Sequence, residues 1–187
     1  MAGEKTDEKL LLDRNQRERE VFTEIVQKYW RRIFAVTYRY LGNIHDAQDM
    51  TQEVFTRAYG AFLDFKNGGN VYGWLVKIAV NLCINETKSM RRKKSEPYDD
   101  ECEAQMHDVH ENREIVEVLK GVLTSLPESQ RMAVILSKFE GMSYQEISQV
   151  MGKSVSSVES LLARARKTIA KKMQKYISLE GSKKDEV

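Results

Sequence analysis

Proline, cysteine and histidine are scarce in this chain, and neither sign of charge dominates it. Its 187 residues include two prolines, two cysteines and three histidines, and the net charge is only +2. Cys83 and Cys102 form no disulfide framework, which fits a reducing compartment. No apolar run approaches the ~20 residues of a membrane span, and the opening MAGEKTDEKLLLDRNQRERE lacks the apolar core of a signal peptide. A cytoplasmic protein without membrane insertion is expected. A phosphate-cradling glycine loop, a nucleophile with a placed base and a histidine-rich cluster are also missing, so neither an enzyme nor a cofactor is expected. Cys102, His107 and His110 follow a Cys-x4-His-x2-His spacing. That is not a common zinc pattern and no fourth ligand is evident, so no metal site is assigned.

What is present is helical periodicity. Apolar residues make up 41% of the chain and charged residues 31%, enough for a core inside a soluble helical protein. Val21, Phe22, Ile25, Val26 and Tyr29 form one stripe, which Trp30, Ile33, Phe34, Thr37 and Leu41 continue until Gly42-Asn43 stops it. Asp46 is expected to cap the next helix, with Ala47, Met50, Val54, Phe55, Ala58 and Phe62 at steps of three or four. A loop follows by composition, Lys66-Asn67-Gly68-Gly69-Asn70. A further helix should turn Val71, Trp74, Ile78 and Leu82 inward and end in the basic cluster Arg91-Arg92-Lys93-Lys94.

The near-neutral sum hides an uneven distribution. From Ser95 to Asn112 there are seven Asp/Glu and no Lys/Arg, whereas Lys153 to Lys175 holds seven Lys/Arg and one acid. The acidic stretch has little periodicity and reads as a linker. Beyond it, Ile115, Val118, Leu119 and Val122 open a second block. Pro127 suits the first turn of a helix carrying Met132, Ile135, Leu136 and Phe139, and Gly141 breaks that helix. Ser143 and Glu146 match a capping box, Gly152 ends the short helix after it, and Ser154 caps the last.

A short helix, a glycine turn and a longer basic helix make a helix-turn-helix arrangement, although an ordinary helical hairpin has the same pattern. At 100° per residue, Val155, Val158, Leu162, Ala165 and Ile169 fall on one side of the last helix, against Ile147 and Val150. Ser156, Ser160, Ala163 and Lys167 face the other way, with Arg164 beside them. Small Ser and Ala side chains allow close approach to base edges, and Arg can pair bidentately with guanine. Lys167, Lys171 and Lys175 are suited to phosphates. Glu159 lies on the flank, where it either accepts from a cytosine amino group or stays solvated.

In both blocks the motifs resemble bacterial extracytoplasmic-function (ECF) sigma factors of the sigma-70 superfamily. YRYLGNIHDAQDMTQEVFTRAY (38–59), VYGWLVKIAVNLCI (71–84) and the following MRRKK are similar to region 2. LPESQRMAVIL (126–136) and GMSYQEISQVMGKSVSSVESLLARAR (141–166) are similar to region 4. The resemblance implies an all-α fold of two small helical domains: a region 2 domain over 1–94, a flexible acidic linker over 95–112, and a region 4 domain over 113–187 with a basic tail. It implies an alternative sigma factor that binds core RNA polymerase, recognises −10 and −35 promoter elements and initiates transcription, in a stress or envelope response. An anti-sigma factor is the further expected partner.

Carried over residue by residue, the resemblance implies polymerase docking by Asp46, Gln48, Asp49, Gln52, Glu53 and Arg57. Reading of a single-stranded −10 element falls to Phe65, Lys66, Tyr72, Lys77, Asn81, Lys88, Arg91 and Arg92, with aromatics for stacking and cations for phosphates. Trp74, on a stripe with Ile78 and Leu82, reads as core. The −35 element falls to Ser156, Ser157, Glu159, Ser160, Ala163, Arg164 and Lys167. Some positions depart from the familiar pattern: Asn85 stands where many members have Asp, Ser156-Ser157 replaces Gly-Thr, and Glu159 and Leu161 stand where Lys or Arg is usual. The acidic linker, by the same analogy, threads the polymerase channels as a nucleic-acid mimic or serves as a plain tether. A polymerase-independent helix-turn-helix regulator would explain the second block alone, leaving DAQDMTQEVF without a role. A sigma-like adaptor that binds polymerase without initiating would use both.

Overall fold

The computed structural model describes the backbone of residues 2–65, 69–93 and 113–184, and the side chains of 16–65, 69–85 and 118–174. The described residues fold as helices without strands: α1 (Ala2–Leu41), α2 (Ile44–Gly60), α3 (Val71–Lys93), α4 (Arg113–Thr124), α5 (Glu128–Val134), α6 (Tyr144–Met151) and α7 (Val155–Lys184). A π turn, Ile135–Phe139, extends α5. The acidic stretch with Cys102, His107 and His110 lies outside the described residues.

Helices α1, α2 and α3 make the first block. Its core is built from Ile33, Val36 and Tyr40 of α1, Ala47, Val54 and Ala58 of α2, and Leu75, Val76, Ala79 and Val80 of α3, all essentially inaccessible to water. Two buried threonines close α1 on α2: the Thr37 and Thr51 hydroxyls lie 2.9 Å apart, and Thr51 donates to the Ala47 carbonyl at 2.6 Å. Each buried hydroxyl is therefore satisfied, as burial requires. Gly42 ends α1 at φ +79, a conformation that disfavours a side chain. Asn43, rather than the expected Asp46, caps α2; its extended backbone lets the side chain accept from the amides of His45 at 2.8 Å and Asp46 at 3.3 Å.

The inward face of α3 also differs from expectation. Tyr72, Leu75, Val76, Ala79, Val80, Leu82 and Cys83 are buried, while Val71, Trp74 and Ile78 are half-buried. The reason is packing on more than one side: α1 and α2 clasp α3 within its own block, and α5 and α6 of the second block lie against it as well. A helix covered from two directions buries a wider arc than the ~100° stripe of a surface helix.

In the second block, Leu126, Met132, Ile135, Leu136, Ile147, Val158, Leu162 and Ala165 form the core. The expected caps are in place. Ser143 and Glu146 complete a capping box, and Gly152 ends α6 at φ +62. The Ser157 amide donates to Ser154 Oγ at 3.2 Å. Pro127 precedes α5 as its N-cap. Val155 was expected inward but is exposed, because the first residue of a helix tilts its side chain beyond the N-terminal end.

The two blocks pack directly against each other and share one apolar cluster. Polar contacts mark the seam. Glu140, which follows the π turn, has a side chain only 6% exposed and accepts from Arg39 Nη1 at 3.3 Å, with Arg32 Nη2 at 3.6 Å. The Tyr72 hydroxyl donates to Glu140 Oε2, the oxygen that Arg32 also approaches. Arg131 of α5, itself buried, donates to the Tyr40 carbonyl at 2.7 Å.

Candidate nucleic-acid interface

The last helix presents the surface its sequence promised. Val158, Leu162 and Ala165 are buried, and Ser156, Ser157, Glu159, Ser160, Ala163, Arg164 and Lys167 are all exposed. The serines are organised before any ligand arrives: Ser154 Oγ lies 3.1 Å from Ser156 Oγ and 2.8 Å from Ser157 Oγ. Beside this face is a shallow hollow lined by Ser129, Lys153, Ser156, Ser157, Ser160, Leu161 and Arg164. Ser129 and Lys153 were not singled out from sequence. Lys153 directly follows the left-handed Gly152, so the turn between the helices supplies a cation to the rim of the hollow. Glu159 is exposed on the flank and does not line the hollow.

On α2, Ala47, Met50, Thr51, Val54, Phe55 and Ala58 are buried, and the opposite face is open. Gln48, Asp49, Gln52 and Arg57 are exposed, while Asp46 and Glu53 are half-buried. Arg57 Nε lies 2.6 Å from Glu53 Oε1, an i,i+4 pair that orders this surface more than it stabilises the fold. The face is rigid, polar and of mixed sign, which suits a specific protein partner.

The residues expected at the −10 element are less uniformly available. Lys77 and Asn81 are exposed. Phe65 is half-buried, with its ring 4.6 Å from that of Trp74. Asn70 accepts from the Gly73 amide at 3.0 Å and so starts α3 beside them. Lys66 lies outside the described residues, as do the side chains of Lys88, Arg91 and Arg92, whose backbone belongs to α3. Tyr72 is buried: its ring stacks on Tyr29 at 5.8 Å, and the Arg32 guanidinium sits 3.7 Å from its centroid. Burial pushes the Tyr72 hydroxyl's pKa well above its ordinary value, and the hydrogen bond to Glu140 adds to the rise.

Comparison with known proteins covers both surfaces. The family model described as Sigma-70 region 2 matches residues 25–95, and Sigma-70, region 4 matches residues 117–169. The chain is 32% identical over 181 residues to the RNA polymerase sigma-H factor of Pseudomonas aeruginosa, covering 88% of this chain and 92% of that one. It is 31% identical over 191 residues to the ECF RNA polymerase sigma-E factor of Escherichia coli K12, covering 95% and 99%. The sigma factor RpoE of Bartonella quintana, solved in complex with the anti-sigma factor NepR, shares the fold with a TM-score of 0.71 and 22% identity. That match covers 83% of this chain and 98% of that one. CnrH, solved with the cytosolic domain of CnrY, has a TM-score of 0.62 and 22% identity, covering 83% and 89%. Because the matches span both blocks, a regulator built on the second block alone is not favoured.

Proposed function

The chain belongs to the sigma-70 family, in its extracytoplasmic-function branch, and we propose a role for each of its exposed surfaces on that premise. It is an alternative RNA polymerase sigma factor, an initiation factor and not an enzyme. In the proposed division of labour, residues 1–94 dock on core polymerase through Asp46, Gln48, Asp49, Gln52, Glu53 and Arg57 of α2. The same domain reads the opened −10 strand along α3, with Asn81 for a flipped base and Lys77 for the backbone. Residues 113–187 read the −35 element as duplex, and 95–112 connect the two domains.

One observation supports this most directly: the face of α7 opposite its buried stripe is exposed, small-chained and basic. A recognition helix needs that combination, because small residues allow entry into the major groove and Arg164 can then reach a guanine edge. Lys153 and Lys167 flank it as phosphate contacts. The protein acts in the cytoplasm, in a stress or envelope response. An anti-sigma factor restrains it, a reading supported by the Bartonella quintana sigma factor, which was solved in complex with the anti-sigma factor NepR.

Reconstitution tests the reading. Core RNA polymerase supplemented with this protein should produce transcripts from specific promoters, selected from a genomic or randomised library. Failure to co-purify with core would overturn the docking proposal, and binding to core without strand opening would leave an adaptor.

A further inference from the structure

We propose that Asn85 is a second base-reading residue on α3, one that selects adenine at the nucleotide next to the base taken by Asn81. The proposal rests on the −10 reading given above and adds a determinant of its sequence. Lys77, Asn81 and Asn85 are all exposed and follow one another at steps of four. At 100° per residue such a step drifts by only about 40°, so the three side chains form one line along α3. Beneath that line Val80, Leu82 and Cys83 are buried, and Ile84 packs half-buried on the core. The line is therefore presented from an anchored backbone, as precise recognition requires.

Local structure does not account for these amides. Asn70, at the start of the helix, has a structural task, accepting from the Gly73 amide at 3.0 Å. Asn81 and Asn85 lie well inside α3, where asparagine is a poor choice because its side chain competes for backbone hydrogen bonds. Among the described residues, neither side chain has a hydrogen-bond partner. Two amides with no task in the fold stand on an exposed line with a cation. A DNA strand offers base edges to the amides and phosphates to Lys77.

The spacing suits a strand opened by a flipped base. Side chains four apart on a helix start about 5–6 Å from each other. Stacked bases are only about 3.4 Å apart, too close for one amide per base. Extruding the base at Asn81 unstacks it from its neighbour, whose edge then falls to Asn85. An amide both donates and accepts, so it pairs bidentately with N7 and N6 of adenine. The aspartate that many members of the resembled family carry at this position can only accept. It suits the amino group of cytosine, repels the N7 lone pair of adenine, and sets a negative charge beside the phosphates. Asn85 thereby gives this chain a base preference that aspartate would not.

Base analogues in a pre-opened promoter test the contact atom by atom. The reconstituted holoenzyme is titrated, by fluorescence anisotropy, with promoters whose −10 segment is unpaired, so that melting does not enter. Each position of the segment is varied through all four bases. Next to the position that responds to Asn81→Ala, the parent should prefer adenine at least ~5-fold, the lower end of what a bidentate contact contributes. An adenine analogue with carbon in place of N7 should weaken binding by the parent and leave Asn85→Ala unaffected. Asn85→Ala should abolish the preference at this position alone, and Asn85→Asp should move it to cytosine. If Asn81→Ala alters a preference and Asn85→Ala alters none, the inference is overturned and the −10 reading stands. If neither variant changes any preference, the −10 reading itself is overturned. A loss on Asn85→Ala that is uniform over all bases, with the circular dichroism spectrum unchanged, would make Asn85 a backbone contact and overturn base selection.

Discussion

Arg131 and Tyr40 lie 91 positions apart in sequence, and the guanidinium of one donates to the backbone carbonyl of the other at 2.7 Å. Tyr40 is in the last turn of α1, where carbonyls have no intrahelical partner. Arg131 supplies one, and it also donates to the carbonyls of Thr124 and Leu126 at the turn between α4 and α5. A single buried cation thus caps a helix of the first block and fixes the first turn of the second.

Replacing Arg131 by Met should therefore be costly. Apolar volume is roughly kept, but three carbonyls lose a charged donor, and hydrogen bonds to charged groups are worth about 1.5–3 kcal/mol each. Partial rescue by water lowers the sum, and a loss of roughly 2–4 kcal/mol is expected in urea denaturation. Arg131→Lys should recover only part of it, because an ammonium cannot span three acceptors in a fixed fork.

Alkaline pH should weaken the same core from a different position. Burial pushes the Cys83 thiol from its ordinary 9.0 up to about 12, so the folded state holds a proton that the unfolded state releases. Stability from this group is intact below about pH 9 and is lost as pH climbs toward 12, on the order of 4 kcal/mol over that window at ~1.4 kcal/mol per decade. Tyr72 shifts in the same direction and adds to the loss at still higher pH. Cys83→Ala should flatten the stability–pH profile between about 9 and 11, measured by thermal melts. An unchanged profile would mean that the thiol is accessible in the folded chain.

These two residues show what the sequence can and cannot disclose. Periodicity located the buried faces of α2 and α7, because each is packed on essentially one side and its apolar stripe has one phase. It found only part of the buried arc of α3, where Leu82 is buried and Val71, Trp74 and Ile78 pack half-buried on the core, because a single-helix pattern does not encode a second layer supplied from far along the chain. Caps written into adjacent residues, Ser143 with Glu146 and Ser154 with Ser157, were legible because donor and acceptor are three positions apart. Arg131 and Glu140 were not, because their partners lie far along the chain and a charged residue in a helical stretch normally reads as solvated surface. The same limit applies to the site: the face of α7 was legible, whereas Lys153 at its rim and the burial of Tyr72 emerge only from the packing.

The α2 surface gives a prediction free of folding effects. Asp49 and Gln52 are exposed, so changing both to Arg should alter stability by no more than about 0.5 kcal/mol. Binding to core polymerase should nevertheless fall at least ~10-fold, because reversed charge at a docking face costs several kcal/mol in an otherwise complementary interface. Fluorescence titration of labelled protein with core measures it. Unchanged affinity would move the docking site off this face.

The last prediction concerns the acid on the recognition helix. Arg164 lines the hollow and Glu159 does not, although both are exposed. If α7 reads duplex DNA, Arg164→Ala should cost about 1–3 kcal/mol of promoter binding and relax the preference at one base position. Glu159→Lys should act differently. A cation on the flank meets phosphate rather than a base edge, so binding should tighten across sequences and its salt dependence should steepen by about one ion. Gel-shift titrations of the reconstituted holoenzyme on −35 variants, each at two salt concentrations, separate the two effects. A sequence-specific change on Glu159→Lys, with the salt slope unaltered, would instead show that Glu159 reads a base, for which the amino group of cytosine is the natural donor.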